Sequence, residues 1–563
     1  MKMNFKKLAA KAMIALTAFC FAETASAKVI EHIADRYIIN VDQMELNGEE
    51  SLMDILMMVP DVVSIDAKTT NTDELGTWAV RIDNVQIGMN AKVFLQNTKA
   101  REVKKIKICI NPGIMKGCGG LKTVIDINYR KKENGVSGKV ALEGDTYGNA
   151  ELFANATIDR DNLTFRTFVQ GELARSKQYG VRENGQEEDV KVHLNWDITN
   201  KDNLELFASQ NFSREKSTLD PAMFTRYYHF EGVYTRDLGP HGAYALVQGA
   251  GDYKNRSTIG FRYEETNPYI LFEFGFPFIS KNLYMTTGIE TGFSASTDQI
   301  NDFTDRSRYE DGYIQLDWNV GKFNFSIGDR FRIENYWFLK PKYDEKFEKT
   351  FTNNHLTATA WYNFNDNHTL QATFARRFLS ALNDIDELEC QVKDVYKKPA
   401  YISEMRYTFQ QKNYNIMGII KNTRQELDEL IPAPGSATGN VLAKGHDNTL
   451  MLGVSSFMHF GVLRMTAGVN YFHSRTNFEG EIDHDNYVNL KLAPQVSVDG
   501  WRFTSTMLYS TKKATFLRPA NFYADLGVSK EFNEHWLVEG KFHDIAGQKY
   551  GNRAFSLGAT YSF

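Results

Sequence analysis

The sequence predicts an all-β transmembrane barrel of about 22 antiparallel strands, preceded by a small α+β domain. Two observations lead to this fold class: apolar and polar residues alternate along many segments, and clusters rich in Gly, Asn and Asp recur about every 40 residues. Alternation gives each strand one apolar and one polar face, which suits a wall between lipid and a wet lumen.

The composition agrees with a barrel. The chain has 563 residues, enough for a large barrel and an accessory domain, and its net charge of -5 gives no indication of nucleic-acid binding. Its mean hydropathy of -0.42 is low, as expected where every second strand residue faces water. Aromatic residues make up 13% of the chain, which suits girdles at the two membrane interfaces.

The first 27 residues are predicted to be a cleavable signal peptide. Lysines between positions 2 and 11 form a basic region, residues 12–22 are apolar, and Ala25, Ser26 and Ala27 form a small-x-small cleavage site. The protein is therefore expected to be exported.

Ten short turn clusters set the predicted strand number. Gly, Asn and Asp supply the backbone geometries that tight hairpins need. With a first strand near Val136 and a last strand ending at Phe563, ten turns on one side give about 22 strands, a width that is expected to be plugged. Alternation places Arg464 in the lumen. For residues 253–268 the sequence leaves two alternatives, strand or loop. The clusters are residues 159–162, 200–203, 238–241, 280–282, 319–322, 365–368, 410–413, 459–461, 498–500 and 531–535.

Longer segments alternate with these turns and are predicted to be outward loops, where ligand selection usually resides. They are residues 296–311, 379–398, 424–447 and 473–484.

Residues 28–132 have a different character and are predicted to form a plug domain, with the barrel at 133–563. Leu52, Ile55, Leu56 and Val59 form one helical stripe that ends at Pro60. Strand-like runs follow at residues 62–65, 78–82, 105–110 and 123–129. A small α+β domain before a wide barrel is naturally placed inside the lumen.

Several segments carry a family resemblance. Residues 54–66, 80–87 and 104–132 resemble the plug domain of TonB-dependent receptors, and residues 35–42 resemble the start of Bacteroidetes-type plugs. Asp61 replaces the Gly of the family's P-G-V pattern. Residues 28–31 are the only candidate for a TonB box, the short segment that pairs with the energy-coupling protein, and they match it poorly. The plug-motif positions are Pro60, Asp61, Val62, Asp83, Pro112, Gly117, Gly119 and Gly120.

The last ten residues, AFSLGATYSF, resemble the C-terminal signal of bacterial outer-membrane barrels, with Tyr561 and Phe563 as its aromatic positions. In that family the barrel assembly machinery reads this signal. The resemblance implies a barrel in contact with outer-membrane lipid.

The resemblance to TonB-dependent receptors implies an outer-membrane transporter that binds a scarce extracellular nutrient, a small ligand of unknown class. It would import this ligand to the periplasm with a TonB-type energy-coupling protein. The alternative is a non-energised plugged barrel that serves as a structural or accessory subunit of an envelope complex. An open diffusion porin is disfavoured by the separate N-terminal domain.

Enzyme motifs such as G-x-S-x-G, H-E-x-x-H and the P-loop are absent from the sequence, and no cofactor is indicated. His473 and His484, and separately Asp384 and Asp386, are candidate metal ligands, although each pair also reads as ordinary polar surface. For Cys109 and Cys118 the sequence leaves two alternatives, a disulfide or two free buried thiols.

Overall fold

The computed structural model describes most of the chain from Ile30 to Phe563. The predicted signal peptide lies outside these residues and stays a prediction. The described residues are 30–33, 36–41, 51–56, 78–82, 85–86, 95, 98, 100–110, 123–130, 134–178, 181–217, 221–239, 242–258, 261–299, 303–340, 345–365, 367–379, 398–411, 414–432, 440–478, 481–511, 521–533, 535–545 and 554–563.

The N-terminal region forms a six-stranded sheet with two short helical segments. Its elements are β1 (Ile30–Ile33), β2 (Arg36–Asn40), α1 (Leu52–Leu56), β3 (Trp78–Ile82), β4 (Val85–Gln86), a 3-10 helix (Ala100–Glu102), β5 (Val103–Ile110) and β6 (Thr123–Tyr129). The strand order is β1-β2-β5-β6-β3-β4, and only β3 and β6 run parallel among these neighbours. We call this unit the N-terminal sheet.

The core of the N-terminal sheet is aliphatic. Ile106 and Ile127 are cross-strand partners and are fully buried. Leu52, Ile55 and Leu56 of α1 are also fully buried, which confirms that part of the predicted stripe. Among the described residues, no helix is long and apolar enough to cross a membrane.

The rest of the described chain forms one closed antiparallel barrel. Its strands are β7 (Gly135–Asp145), β8 (Ala150–Arg160), β9 (Leu163–Gln178), β10 (Val181–Asp197), β11 (Asp202–Ser217), β12 (Met223–Gly239), β13 (Ala243–Thr258), β14 (Phe261–Thr266), β15 (Tyr269–Ser280), β16 (Leu283–Asp298), β17 (Phe303–Val320), β18 (Phe323–Lys340), β19 (Glu345–Asn363), β20 (His368–Leu379), β21 (Lys398–Gln411), β22 (Tyr414–Pro432), β23 (Asn440–Phe460), β24 (Leu463–Phe478), β25 (Glu481–Val498), β26 (Trp501–Ser510), β27 (Asn521–Glu531), β28 (Trp536–His543) and β29 (Ala554–Ser562).

The barrel has 22 strands because β14 and β15 are two parts of one strand. Both pair with β13 in one continuous register, from Tyr253 opposite Thr266 to Ala250 opposite Tyr269. Pro268 lies at the break, where it has no N–H to donate to the ladder. The predicted strand number is confirmed, and the open segment 253–268 is largely strand.

The ten predicted turn clusters coincide with short connections at one rim of the barrel. Asp161 and Asp499 have positive φ angles of 39° and 50° in two of these turns, and Gly321 has one of 60°. Asp and Gly tolerate this region better than other residues, which explains why they mark the turns.

The predicted outward loops are mostly strand where the structure describes them. β16 continues to Asp298 and β17 begins at Phe303, while β24 continues to Phe478 and β25 begins at Glu481. Likewise β22 and β23 extend through most of residues 424–447. The loop prediction was wrong there because the ladders extend well beyond the roughly 9–11 residues that cross a bilayer. Residues 380–397 lie outside the described residues.

The two faces of the wall follow the predicted alternation. Arg464 is 5% exposed and faces the lumen, as predicted. On β29, Leu557 is 57% exposed whereas the neighbouring Ser556 is 3% exposed. We call the exposed, largely apolar face of the barrel the outer wall and the opposite face the inner wall.

The N-terminal sheet and the inner wall share one hydrophobic cluster. This shared core fixes the sheet against the barrel. From the sheet it includes Ile39, Val80, Ile106 and Ile127, and from the wall Phe153, Phe168, Phe207, Leu246 and Leu271.

Candidate functional site on the inner wall

Two carboxylates and two arginines meet on the inner wall where β16, β17 and β18 run side by side. Arg330 donates from Nη2 to Glu290 over 2.8 Å and from Nε to Asp311 over 2.7 Å. Arg332 donates to both oxygens of Asp311, each over 2.7 Å. Since Glu290, Asp311 and Arg330 are buried, these charge-assisted bonds hold the three strands in one arrangement.

Tyrosine hydroxyls donate hydrogen bonds to the neighbouring carboxylates. Tyr313 donates its hydroxyl to one oxygen of Glu273 over 2.5 Å, and Tyr244 donates to the other over 2.7 Å. Tyr309 donates to Glu290 over 3.0 Å. The guanidinium of Arg330 lies 5.5 Å from the ring centroid of Tyr313, which places the Glu273 group beside the arginine cluster. The result is a continuous set of paired acids along the inner wall from β13 to β18.

Two glycines make room for these rings. A Cβ on Gly288 would lie 2.4 Å from the ring of Tyr313, and one on Gly292 would lie 2.4 Å from the ring of Tyr309. The rings therefore lie directly over bare backbone of the adjacent strand. Glycine within these strands has a structural reason, since a close approach by a side chain excludes any larger residue.

A histidine extends the polar set towards β12. His229 is buried, with Nδ1 at 2.6 Å from Asp252 and Nε2 at 3.3 Å from Glu231. Gln248 donates to Glu231 over 2.5 Å and to the hydroxyl of Tyr269 over 2.8 Å. Acidic side chains are therefore frequent in this part of the inner wall, and both Asp252 and Glu231 have a hydrogen-bond partner.

The N-terminal sheet contacts the inner wall through polar groups as well as apolar ones. The guanidinium of Arg166 on β9 lies 4.5 Å from the ring centroid of Tyr129 on β6. Arg81 on β3 is buried and interacts electrostatically with Tyr269. β4 lies against β11 and β12. A movement of the sheet would have to break these contacts.

A cavity of about 310 Å³ opens at the rim that carries the short turns. Arg101, Tyr129 and Arg130 line it from the N-terminal sheet, and Asp159 and Arg166 line it from the barrel. Arg130 donates its backbone N–H to the carbonyl of Glu102 over 2.9 Å. The cavity therefore lies between the N-terminal sheet and the barrel wall at this rim, and Phe563 also lines it.

His473 and His484 come together, but on the outer wall. Their rings stack with centroids 5.8 Å apart, and Nδ1 of His473 lies 2.9 Å from Asn486. They lie on β24 and β25 and not in a loop, and the inward positions of β25 belong to Asp485 and Tyr487. Within the described chain, no group of three or more His, Cys, Asp or Glu residues is placed to hold a metal ion.

The other predicted site residues fall mostly outside the described residues. The plug-motif positions Pro60, Asp61, Val62, Asp83, Pro112, Gly117, Gly119 and Gly120, the acids Asp384 and Asp386, and Cys118 lie there. They stay predictions, and both alternatives for Cys109 and Cys118, a disulfide or two free thiols, stay open.

Tyr561 and Phe563 lie at the seam that closes the barrel. β29 pairs with β7, and Phe563 exchanges backbone hydrogen bonds with Gly138 at 2.9 and 3.0 Å. Tyr561 packs against Trp536 with ring centroids 4.9 Å apart. Both aromatic side chains are exposed on the outer wall. Their reading by assembly machinery stays a prediction.

The inner-wall network was not predicted from the sequence. Its members, such as Glu273, Glu290 and Arg330, occupy the polar phase of their strands, so alternation alone places them in the lumen. Which of them meet depends on the register between strands, and a single sequence does not supply that register.

The chain is similar in fold to solved structures of receptors and of a transporter. The chain matches the alcaligin outer-membrane receptor FauA from Bordetella pertussis with a TM-score of 0.65 and 11% identity, covering 95% of each chain. It matches the siderophore receptor PirA from Pseudomonas aeruginosa with a TM-score of 0.68 and 13% identity, covering 95% of this chain and 100% of that one. The chain shares the fold of these two receptors.

A third structure with this fold is the FrpB iron transporter from Neisseria meningitidis, with a TM-score of 0.67 and 11% identity over 86% of this chain and 91% of that one. None of these three proteins is an enzyme, in agreement with the sequence analysis. No protein-family model and no curated protein matches the chain. At such low identity the likeness concerns the fold.

Proposed function

We propose that this protein is a TonB-dependent receptor of the outer membrane, in which the N-terminal sheet acts as a plug. The protein binds a scarce extracellular ligand and releases it to the periplasm when the plug moves. The short turns face the periplasm and the opposite rim faces outward, as in other outer-membrane barrels.

The observation that carries the proposal is the core shared by the N-terminal sheet and the inner wall. A lumen closed by 22 strands is wide enough for a channel, and here a separately folded sheet is packed against its wall. Passage of a ligand then requires work on the sheet, which fits an energised receptor better than an open pore.

Ferric chelates are the first ligands to screen. FauA is described as an alcaligin receptor, PirA as a siderophore receptor and FrpB as an iron transporter. The shared fold makes the same ligand class the natural first choice for this chain.

The proposal is tested by binding of the folded mature protein to the periplasmic domains of the host's TonB-type proteins. β1 is an edge strand of the N-terminal sheet and is the described segment nearest the candidate TonB box. Deletion of residues 28–33 removes β1 but retains β2, whose Ile39 is fully buried. We expect wild type to bind and the deletion variant to lose binding.

Arg101→Gln is the matched control, because Arg101 is an exposed residue of the same unit and its change leaves β1 in place. It should bind like wild type. If the folded wild-type protein binds none of the TonB-type proteins, energised import is refuted. That outcome would favour the non-energised envelope subunit.

A further inference from the structure

Four cations form an exposed cluster on the outer wall. Arg175 lies on β9, Arg214 and Lys216 on β11, and Arg226 on β12. They point outward because the alternate positions on the same strands, such as Arg166 and Asn211, are buried inward. We call these four residues the basic patch.

The strand register brings the members of the basic patch together. Asn184 on β10 pairs with both Arg175 and Lys216, which places these two cations on either side of it. Arg214 pairs with Phe224, and Arg226 pairs with Phe212, so the two arginines are diagonal neighbours. Such diagonal neighbours lie within reach of one bound anion.

The basic patch lies above an apolar band, at the end away from the short turns. Below it on β9, β10, β11 and β12, the outer wall exposes Val169, Val190, Leu206 and Phe230, and Phe230 is 64% exposed. A lipid-facing apolar band of a barrel is about 25 Å tall and ends at the headgroups. The patch is therefore at headgroup height on the outward side.

Within the part of the chain that the structure describes, no carboxylate lies within ion-pair distance of the basic patch. The nearby outward acid, Glu188, accepts a hydrogen bond from Gln186 over 2.8 Å. The guanidinium of Arg214 lies 5.5 Å from the ring centroid of Phe224. The four charges are left available to an external anion.

Several other outward cations at this end of the barrel are paired with acids of the same strand. Arg262 lies 2.5 Å from Glu264, Arg308 lies 2.8 Å from Glu310, and Lys346 lies 3.8 Å from Glu348. Arg306, Arg424 and Arg475 are also exposed without an ion pair among the described residues, and of these only Arg424 and Arg475 are close, on either side of Asn448. The basic patch differs from them in bringing four such cations together.

We propose that the basic patch binds the phosphate groups of the phosphorylated glycolipid in the outer leaflet of the outer membrane. Arginine forks match phosphate oxygens, and cations at headgroup height are drawn to anionic lipid. The inference rests on the outward orientation given under the proposed function. It does not depend on which ligand is imported or on whether import is energised.

The test measures binding of bisphosphorylated lipid A to the full-length protein in detergent, with the same lipid lacking its phosphates as comparison. Arg214→Gln/Arg226→Gln removes two charges from the basic patch. Arg308→Gln/Lys346→Gln is the matched control, since it removes two outward charges that already have acidic partners. We expect about 30-fold weaker binding in the patch variant, at roughly five-fold for each cation removed, and little change in the control.

Equal weakening in the two variants would overturn the proposal, as would equal binding of the lipid without phosphates. Displacement of lipid A by millimolar inorganic phosphate would instead indicate a site for a free anion and would also overturn it. If the patch variant fails to fold, the salt dependence of wild-type binding decides. Binding should weaken as salt is raised, and salt-independent binding would refute the proposal.

Discussion

Arg330 connects two buried carboxylates, so its removal leaves both without their shared cation. We expect Arg330→Leu to lower the free energy of unfolding by about 3–5 kcal/mol, because the buried carboxylate of Glu290 is left without a cation, although Asp311 keeps Arg332. Urea unfolding of the barrel in detergent measures the change.

Arg308→Gln is the comparison for Arg330, because Arg308 pairs with Glu310 on the exposed outer wall. Its loss should cost less than about 1 kcal/mol. An equal effect of the two substitutions would show that the inner-wall network does not stabilise the barrel beyond an ordinary surface pair.

Gly138 is a second residue with a specific packing requirement. A Cβ at this position would lie 2.4 Å from the carbonyl oxygen of Asn155 and 2.5 Å from the ring of Phe563. Gly138→Ala should therefore lower the free energy of unfolding by about 1–3 kcal/mol, the usual cost of overpacking. Heat-dependent gel mobility and urea unfolding would both report it.

Gly171→Ala is the control for the seam substitution. A Cβ on Gly171, a glycine of β9 in the same barrel, would meet nothing within 4 Å. It should unfold like wild type. If Gly138→Ala behaves in the same way, the ring of Phe563 is free to move aside and the seam does not depend on it.

At the scale of elements, the N-terminal sheet has its own aliphatic centre in Ile106 and Ile127. Changing both to alanine should remove about 2–5 kcal/mol per site from the sheet, because cavities replace buried side chains. We expect faster proteolysis of the N-terminal region with unchanged heat-dependent mobility of the barrel. Loss of the barrel signal as well would show that the two units fold only together.

Strands and turns were predictable from the sequence because both are local. Arg464 faces inward because alternation depends only on consecutive residues of one strand. Asp161 and Asp499 mark turns because the positive φ angles of these turns favour residues such as Asp at those positions. The outward loops were mispredicted because hydrogen bonding between strands continues past the membrane. Local polarity does not distinguish a wet ladder from a loop.

Contacts between strands were not predictable. His473 and His484 were expected to flank a loop, and they instead stack across a hairpin on the outer wall. The pairing of Arg330 with Glu290 joins residues 40 positions apart. Both depend on register and strand order, which appear only once the barrel has closed.

At the scale of the whole molecule, the position of the N-terminal sheet predicts a low conductance. The intact protein in a planar bilayer should show little steady current, because the sheet packs against the inner wall of the lumen. A variant lacking residues 28–132 should show a large steady current. Current from the intact protein equal to that of the variant would refute the plugged arrangement.

The pairing at the seam between β7 and β29 depends on whether the number of strands is even or odd. Neighbouring strands alternate in direction, and the even number of 22 lets the first and last strands meet antiparallel. Without β29, β28 would face β7 pointing the same way, and the ladder that joins every other pair of neighbours could not form. A barrel one strand short would have to close through one parallel ladder, so the wall keeps its uniform antiparallel pairing only when strands are lost in pairs.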